Sequence, residues 1–340
     1  MYNLERQTKH ASTSSKSQKR QSITVWPFYI LLAVLFLLYL AYQGNQVLSV
    51  VFGTAAFFVL ISVIVLELFV GMQEEGYVKN ILEIAAAIIA VVVLWFILRA
   101  ALQTPNPLDV VPSCSMLPVL QRGDMVVLQG ISNISQIHAP IVSITKGQFT
   151  NLLNNIKNNP LSCVAYTVVN NRLKVSQMVY PGYTVGLYKQ GNNSYIVPND
   201  AQANNTIKYT CGTVNSRFSN GTIASEASTT SITIGRETIT GDKNNSIIVY
   251  ETVPSDAFYT EGDLYIVHRA YAVLNVQGSY YILTKGDNNP GLDIQYSNYP
   301  ANLSYVEGKV IVSIPYIGYL KLLLSGSLSQ PAGCNSTIES

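Results

Sequence analysis

Three long apolar runs near the start of the chain constrain its fold more than any other feature. They extend from Ile23 to Tyr42, from Val47 to Met72 and from Ile81 to Leu102. A helix needs roughly 20 apolar residues to cross about 30 Å of hydrocarbon, and each run is long enough. The sequence therefore predicts a membrane protein with three N-terminal transmembrane helices, followed by a different, more polar part.

Two acidic residues lie inside these runs, Glu67 in the second and Glu83 in the third. An acid in a bilayer is costly, which suggests a role or a partner for it. Both lie near a helix end, however, where a carboxylate reaches the interface easily. The first run is longer than the apolar stretch of a signal peptide, so we interpret it as an uncleaved anchor.

The distribution of cations predicts the orientation. Five cations lie in residues 1–22: Arg6, Lys9, Lys16, Lys19 and Arg20. The loop Gln43–Gln46 has none. Positive charge favours the cytoplasmic side, so the tail is expected there, and three crossings place everything after Leu102 outside. The predicted location is the plasma membrane, in a multi-pass arrangement.

Sequons and cysteines also point to an outside domain. All N-x-[ST] sequons follow the third run: Asn133, Asn192, Asn204, Asn220, Asn244, Asn302 and Asn335. They favour a glycosylated, extracytoplasmic domain. The four cysteines allow three disulfide connectivities, of which we favour Cys163–Cys211.

Charge and cysteine spacing exclude two classes of function. The net charge is only +2, and no basic face follows the apolar runs, so nucleic acid is not an expected partner. No C-x-x-C pair occurs, so no zinc site is expected. Neither a metal nor an organic cofactor is predicted.

A serine soon after the third run is a candidate nucleophile. The stretch V-P-S-C-S-M-L-P, residues 111–118, holds Ser115 between two prolines, and Gly123-Asp124 follows. A serine hydroxyl needs an adjacent base to become a good nucleophile. Of the three histidines, His10 is in the tail and His138 has no acid near it in sequence. His268 ends a strand-like run, G-D-L-Y-I-V-H-R, although a buried structural histidine would look the same.

Two acids follow in a tight turn, T-K-G-D-N-N-P-G-L-D, residues 284–293. Glycine, proline and asparagine favour the turn, and Asp287 could simply cap its own backbone. The same turn could instead supply the acid that orients an imidazole.

In this order, the blocks resemble those of type I signal peptidases. S-C-S-M-L-P with Gly123-Asp124 looks like the nucleophile block, and I-I-V-Y, residues 247–250, resembles the next strand. I-V-H-R, residues 266–269, looks like the base block, and T-K-G-D-N-N-P-G-L-D looks like the acid block. The segment G-K-V-I-V-S-I-P-Y-I-G-Y-L, residues 308–320, resembles the closing strand of that family. Histidine rather than lysine in the base block is similar to the archaeal and endoplasmic-reticulum subfamily.

The resemblance implies a role for each residue. Ser115 would be the nucleophile, His268 the general base and Asp293 the orienting acid, with Asp287 in support. Ser113 would stabilise the oxyanion together with the Ser115 backbone N–H. The implied activity is removal of signal peptides from secretory preproteins, after small residues at the −1 and −3 positions. Membrane lipid is an expected partner, and the protein-translocation channel is a further candidate.

Three features depart from the family pattern. Cys114 stands where glycine is frequent, the histidine form commonly has one membrane span rather than three, and a long insert separates the nucleophile and base blocks. The predicted fold is a membrane protein with three N-terminal transmembrane helices and a mainly β extracytoplasmic peptidase domain that carries a large β-rich insert. We divide the chain into a basic tail, the membrane helices, two catalytic parts flanking the insert, and a C-terminal tail: residues 1–22, 23–103, 104–138, 139–240, 241–325 and 326–340.

Two alternatives stay open at this point. One is a glycosylated cell-surface or assembly protein with a non-catalytic peptidase-like core, which would work through its insert. The other is a Ser-Lys dyad that uses Lys285, with His268 structural. The apolar run Val310–Leu324 contains Pro315 and is short, so we expect a strand leading into a segment that dips into the membrane surface.

Overall fold

The computed structural model describes residues 26–42, 45–74, 77–156, 164–169, 172–178, 194–197 and 206–339, apart from 328, 330 and 332. The basic tail, Cys163 and the sequons at Asn192 and Asn204 therefore lie outside the described residues, and so does the side chain of Glu83.

Three apolar helices come first: α1 (Trp26–Ala41), α2 (Gln46–Glu74) and α3 (Tyr77–Leu102). Two stretches, Val47–Glu67 and Ile84–Leu102, are long and apolar enough to cross a membrane. Most of their described side chains are exposed, as expected for helices surrounded by lipid. These two stretches indicate a membrane-associated protein. Helix α1 has 16 residues, and the count of three spans stays a prediction.

The remaining helices are α4 (Lys146–Ile156), α5 (Ala257–Glu261) and α6 (Tyr319–Leu324). The described strands are, in chain order, β1 (Leu108–Val110), β2 (Met125–Gln129), β3 (Ile141–Ser143), β4 (Val164–Val169), β5 (Arg172–Met178), β6 (Ser194–Val197), β7 (Ile207–Phe218), β8 (Ile223–Ile234), β9 (Glu237–Thr240), β10 (Ile247–Glu251), β11 (Tyr265–Val276), β12 (Ser279–Lys285), β13 (Ala301–Asn302), β14 (Val306–Ile314) and β15 (Ser336–Glu339). The chain beyond the apolar helices is thus mainly β, as the sequence predicts.

The largest sheet has eight strands in the order β1-β2-β14-β10-β11-β12-β13, with β3 added to β11 in parallel. A second sheet has the order β15-β7-β8-β9, and a third has the order β5-β4-β6. The second sheet joins strands of the predicted insert to the strand nearest the C-terminus, β15. The C-terminal tail is therefore part of a sheet.

Strand β11 shows the alternation that its sequence predicts. Ile266 packs in one apolar cluster with Ile248 and Tyr250, while Val267 packs in another with Met116 and Val249. Successive residues of a strand point to opposite faces, so the strand joins two cores. A bulge between Ala270 and Ala272, which the sequence analysis did not anticipate, shifts the pairing with β12.

Parts of the predicted insert share a core with the eight-stranded sheet. The cluster includes Leu152 of α4 and Ile207 and Ile232 of β7 and β8, together with Leu274 and Leu283 of β11 and β12. All five side chains are almost completely buried. Removal of residues 139–240 would therefore uncover one face of that sheet. The predicted domain boundaries stay predictions.

The C-terminal apolar run is divided between two elements. Its first part forms most of β14, and Pro315 then leads into α6, whose Leu323 and Leu324 are exposed. The Tyr39 hydroxyl of α1 donates to the Pro315 carbonyl, which holds this corner of the sheet against the first apolar helix. In α2, Glu67 accepts a hydrogen bond from Tyr29 of α1.

Candidate active site

The candidate nucleophile lies in the loop between β1 and β2. The Val111 N–H donates to the Asp124 carbonyl at 2.9 Å, and the Gly123 N–H donates to the Val111 carbonyl at 2.8 Å, which closes the base of the loop. Met116, next to Ser115, is fully buried and anchors the loop in the core. Gly123 has a φ of +87°, and the Tyr319 ring occupies the space that a Cβ would need. Only glycine fits there without rearrangement.

Strand β11 brings His268 to this loop. His268 Nε2 lies 2.9 Å from Ser115 Oγ, although the two residues are 153 positions apart. The imidazole is 3% exposed, and the Phe258 ring packs edge-on against it at a centroid distance of 5.9 Å. The ring is thus fixed in place and largely shielded from water.

A buried carboxylate occupies the other side of the imidazole. His268 Nδ1 lies 2.6 Å from Asp293 Oδ2, and Asp293 is 1% exposed. The Tyr250 hydroxyl donates to the same oxygen at 3.1 Å, and Thr284 Oγ1 donates to that hydroxyl at 3.2 Å. Burial, aided by the charge of Asp293, raises the pKa of Tyr250 well above its usual value, so this phenol stays a donor.

Tyr250 was not predicted as a site residue from the sequence. It appeared only as the last letter of a strand block. Its position in β10, opposite Ile266 of β11, takes its hydroxyl to the carboxylate. Strand pairing is the signal that would have found it.

The predicted oxyanion residue is close to the nucleophile. Ser113 Oγ lies 3.1 Å from Ser115 Oγ. The structure thus brings together Ser113, Ser115, His268 and Asp293. A serine hydroxyl bonded to an imidazole that is itself bonded to a carboxylate can lose its proton as it attacks a carbonyl carbon.

Asp287 is not part of this chain of hydrogen bonds. Its carboxylate accepts from Arg269 Nε at 2.8 Å and from Arg269 Nη2 at 2.7 Å. Arg269 also donates to the Lys243 and Asn245 carbonyls. The contacts of Asp287 therefore hold the acid turn against β11, on the face opposite His268.

The Lys285 ammonium lies near the same turn and donates to the Gly286 carbonyl at 3.2 Å. Burial lowers the pKa of Lys285 to about 8, although the neighbouring charges of Asp287 and Asp293 oppose this shift. Within the described part of the chain, the hydrogen-bond partners of Ser115 Oγ are Ser113 Oγ and His268 Nε2. The geometry thus favours the histidine over the lysine as the group next to the hydroxyl.

A disulfide lies beside the candidate nucleophile. Cys114 is bonded to Cys334 across a sequence separation of 220 residues, with a Cα–Cα distance of 5.0 Å. This pairing was not predicted from the sequence. Cys211 is also disulfide-bonded. Its predicted partner, Cys163, lies outside the described residues, and that pairing stays a prediction.

Several sequons are accessible. Asn133, Asn220, Asn244 and Asn335 are exposed, and Asn302 is half-buried. Asn302 and Asn133 each accept a hydrogen bond from a backbone N–H two residues further along the chain. Glycosylation at these positions stays a prediction.

Comparison with known proteins gives one partial match. A signal peptidase complex catalytic subunit, SEC11, from Verticillium alfalfae is 34% identical to the chain over 95 residues. The match covers 26% of this chain and 48% of that protein, so the chain spans about half the length of this relative. No protein-family model matches the chain. The match supports a relationship to signal peptidases and, at family level, to serine peptidases.

Proposed function

We propose that this chain is a membrane-bound serine endopeptidase that removes signal peptides from secretory preproteins. One observation carries the proposal: Ser115 Oγ, His268 and Asp293 form a hydrogen-bonded series, with distances of 2.9 Å and 2.6 Å. The sequence blocks and the partial match to a signal peptidase subunit agree with it. The histidine in the base block favours the archaeal and endoplasmic-reticulum type.

In the proposed reaction, Ser115 Oγ attacks the carbonyl carbon of the scissile peptide bond. His268 Nε2 accepts the hydroxyl proton and then transfers it to the leaving amine, while Asp293 stabilises the imidazolium. Water then attacks the acyl-enzyme, again with His268 as general base, and releases the signal peptide with a free carboxylate. No metal or organic cofactor takes part.

The negative oxygen of the tetrahedral intermediate needs donors. Ser113 Oγ, at 3.1 Å from Ser115 Oγ, is one candidate. The Ser115 N–H is the other, because none of the described residues accepts a hydrogen bond from it. A single donor of this kind typically contributes about 2.7–4 kcal/mol to transition-state stabilisation.

The substrate would bind as an extended strand. Strand β1 is an edge of the eight-stranded sheet, and it leads directly into the Ser115 loop. A peptide paired to a strand edge presents alternate side chains to one face, which agrees with small residues at the −1 and −3 positions. Cleavage specificity of this kind is part of the proposal.

Membrane attachment would place this site near its substrate. Ser115 follows the end of α3 at Leu102 closely, and a signal peptide is cut near the outer end of its apolar helix. We propose a multi-pass protein of the plasma membrane with a cytoplasmic N-terminus and an extracytoplasmic catalytic domain. Membrane lipid and the translocation channel would be its neighbours.

The test is cleavage of a signal-bearing preprotein by the purified full chain in detergent and in lipid. Ser115→Ala should abolish cleavage at the signal junction, whereas Ser279→Ala, an exposed serine at the start of β12, should not change it. Equal rates for Ser115→Ala and the unaltered protein would contradict cleavage by this chain alone, and would leave two alternatives: an activity that needs a partner subunit, or a non-catalytic surface or assembly protein. Deletion of the insert is a poorer test, because Leu152 and Ile207 belong to the shared core.

A further inference from the structure

The peptide unit between Cys114 and Ser115 contains a carbonyl that accepts hydrogen bonds from other segments and an N–H that is a candidate oxyanion donor. Its carbonyl belongs to Cys114 and its N–H to Ser115, and in a planar trans peptide the two point in opposite directions. Whatever fixes the Cys114 carbonyl therefore also fixes the direction of the Ser115 N–H.

Asn288 makes two of the contacts that fix this unit, and the Leu117 N–H also donates to the Cys114 carbonyl, at 3.3 Å. Asn288 Nδ2 donates to the Cys114 carbonyl at 3.1 Å, and its backbone N–H donates to the Ser115 carbonyl at 2.7 Å. The two carbonyls that flank the Ser115 Cα are thus held by one residue of the acid turn. Asn288 lies between Asp287, which is bound to Arg269, and the segment that carries Asp293.

The same side chain binds the C-terminal strand. Asn288 Nδ2 also donates to the Ser336 carbonyl at 2.9 Å, and its Oδ1 accepts from the Ile338 N–H at 2.8 Å. The disulfide Cys114–Cys334 provides a covalent link between the same two segments. The Ser115 loop, the acid turn and β15 are therefore connected at one point.

Strand β15 is itself supported by the rest of the second sheet. It pairs with β7 from Ser336 to Glu339, with Ser336 opposite Phe218 and Ile338 opposite Ser216. The neighbouring strand β8 contacts the acid turn directly, because Ser228 Oγ donates to the Pro290 carbonyl at 2.7 Å. The second sheet thus supports the Ser115 loop through β15 and through the contact of β8 with the acid turn.

We infer that Asn288 is a positioning residue for the proposed reaction, and that with the Cys114–Cys334 bond it aims the Ser115 N–H at the oxyanion by fastening the loop to β15. This inference rests on the proposed function. A donor that is misdirected in the transition state lowers kcat, whereas substrate contacts along β1 remain. Breaking the cross-link should therefore affect kcat more than KM.

The central experiment compares four variants of the full chain with the unaltered protein in the preprotein assay. Asn288→Ala removes the side-chain hydrogen bonds to Cys114, Ser336 and Ile338. It should lower kcat about 10–100-fold, with KM changed less than about threefold. Asn288→Asp keeps an acceptor for Ile338 but loses the donor to Cys114, so it should lower kcat similarly. The double variant C114S/C334S should lower kcat about tenfold, because a misplaced catalytic group is costly. Glu339→Gln, which loses only an exposed ion pair, should behave like the unaltered protein.

Reduction gives a second measurement. A thiol reductant should lower the kcat of the unaltered protein towards that of C114S/C334S, and it should not lower the kcat of C114S/C334S further. Because Cys211 is also disulfide-bonded, equal losses in both forms would mean that the sensitive bond lies elsewhere. That result would overturn the role of the Cys114–Cys334 bond.

Amide hydrogen exchange of residues 111–121 separates this inference from the proposed activity. Exchange in this segment should be faster in Asn288→Ala and in C114S/C334S than in Glu339→Gln. Unchanged exchange, or an unchanged kcat in a folded Asn288→Ala protein, would overturn the inference. If the unaltered protein cleaved no preprotein, the proposed function would fail, but faster exchange would still show that Asn288 and the disulfide order the loop.

Discussion

Replacing Asp293 by Asn removes the charge beside His268 without changing the size of the side chain. In the proposed transition state the imidazole is positively charged, and its Nδ1 lies 2.6 Å from Asp293 Oδ2 in a buried site. Two unit charges about 4 Å apart interact by about 4 kcal/mol at an effective dielectric constant of about 20. Loss of about 4 kcal/mol corresponds to a roughly 10³-fold lower kcat.

The amide has a second effect, on the tautomer of the imidazole. An Asn N–H that faces Nδ1 moves the ring proton to Nε2, which then cannot accept the proton of Ser115. In Ser-His-Asp peptidases of other folds the corresponding change costs about 10⁴-fold in kcat. We therefore expect kcat of Asp293→Asn to fall about 10³–10⁴-fold, with KM changed little.

The assay is single-turnover cleavage of a preprotein, with the unfolding temperature of each variant measured in parallel. Asp287→Asn is the matched control, because it changes an aspartate of the same turn that binds Arg269 instead of His268. It should keep kcat within a factor of about ten, since no transition-state contact is lost. A folded Asp293→Asn protein within tenfold of the unaltered rate would refute this reasoning. So would equal losses in the two variants.

Three further predictions concern the neighbours of this series. Ser113→Ala should lower kcat about 10²–10³-fold with little change in KM, as measured in the same assay. An unchanged kcat would show that the Ser113 hydroxyl does not stabilise the oxyanion. Tyr250→Phe removes a donor from the buried Asp293 carboxylate, so the free energy of unfolding should fall by about 1–3 kcal/mol in denaturant titrations; an unchanged free energy of unfolding would contradict this. Burial lowers the pKa of Lys285 from 10.5 to about 8, so between these values the unfolded chain binds a proton that the folded chain does not, and the free energy of unfolding should rise with pH. Denaturation at pH 8 and pH 10 should show a smaller rise for Lys285→Met, which should also keep its cleavage activity; a complete loss of activity in a folded protein would instead favour the Ser-Lys dyad.

Local features of the sequence predicted the two faces of strand β11. The alternation in Leu264–Arg269 separates Ile266 from Val267, and these two residues pack in different clusters, as expected. The alternation depends on a few neighbouring residues, where the pleat of a strand determines the direction of each side chain. The proximity of Ser115 and His268 was expected from the resemblance to signal peptidases and not from a local pattern, because the two residues are 153 positions apart.

Features that depend on distant pairing could not be predicted in this way. The partner of Cys114 is 220 residues away, and spacing alone does not choose among three connectivities. The two aspartates of the acid turn are alike in sequence, but the turn directs Asp287 to Arg269 and Asp293 to His268. The parallel pairing of β3 with β11 likewise has no local signature, because short strands reveal nothing of their partners.

The Cys114–Cys334 bond can form only after Cys334 has been synthesised, which is later than the synthesis of the candidate active-site residues. A ribosome adds about 5–20 residues per second, so 220 residues take about 10–40 s. Throughout that interval Cys114, the residue next to Ser115, cannot form its disulfide because Cys334 has not yet been synthesised. A chain whose synthesis stopped before Cys334 would still contain Ser115, His268 and Asp293, but its loop would have no cross-link. Under the proposed function, translation past Cys334 would therefore complete the support of the Ser115 loop after the proposed catalytic residues have been made.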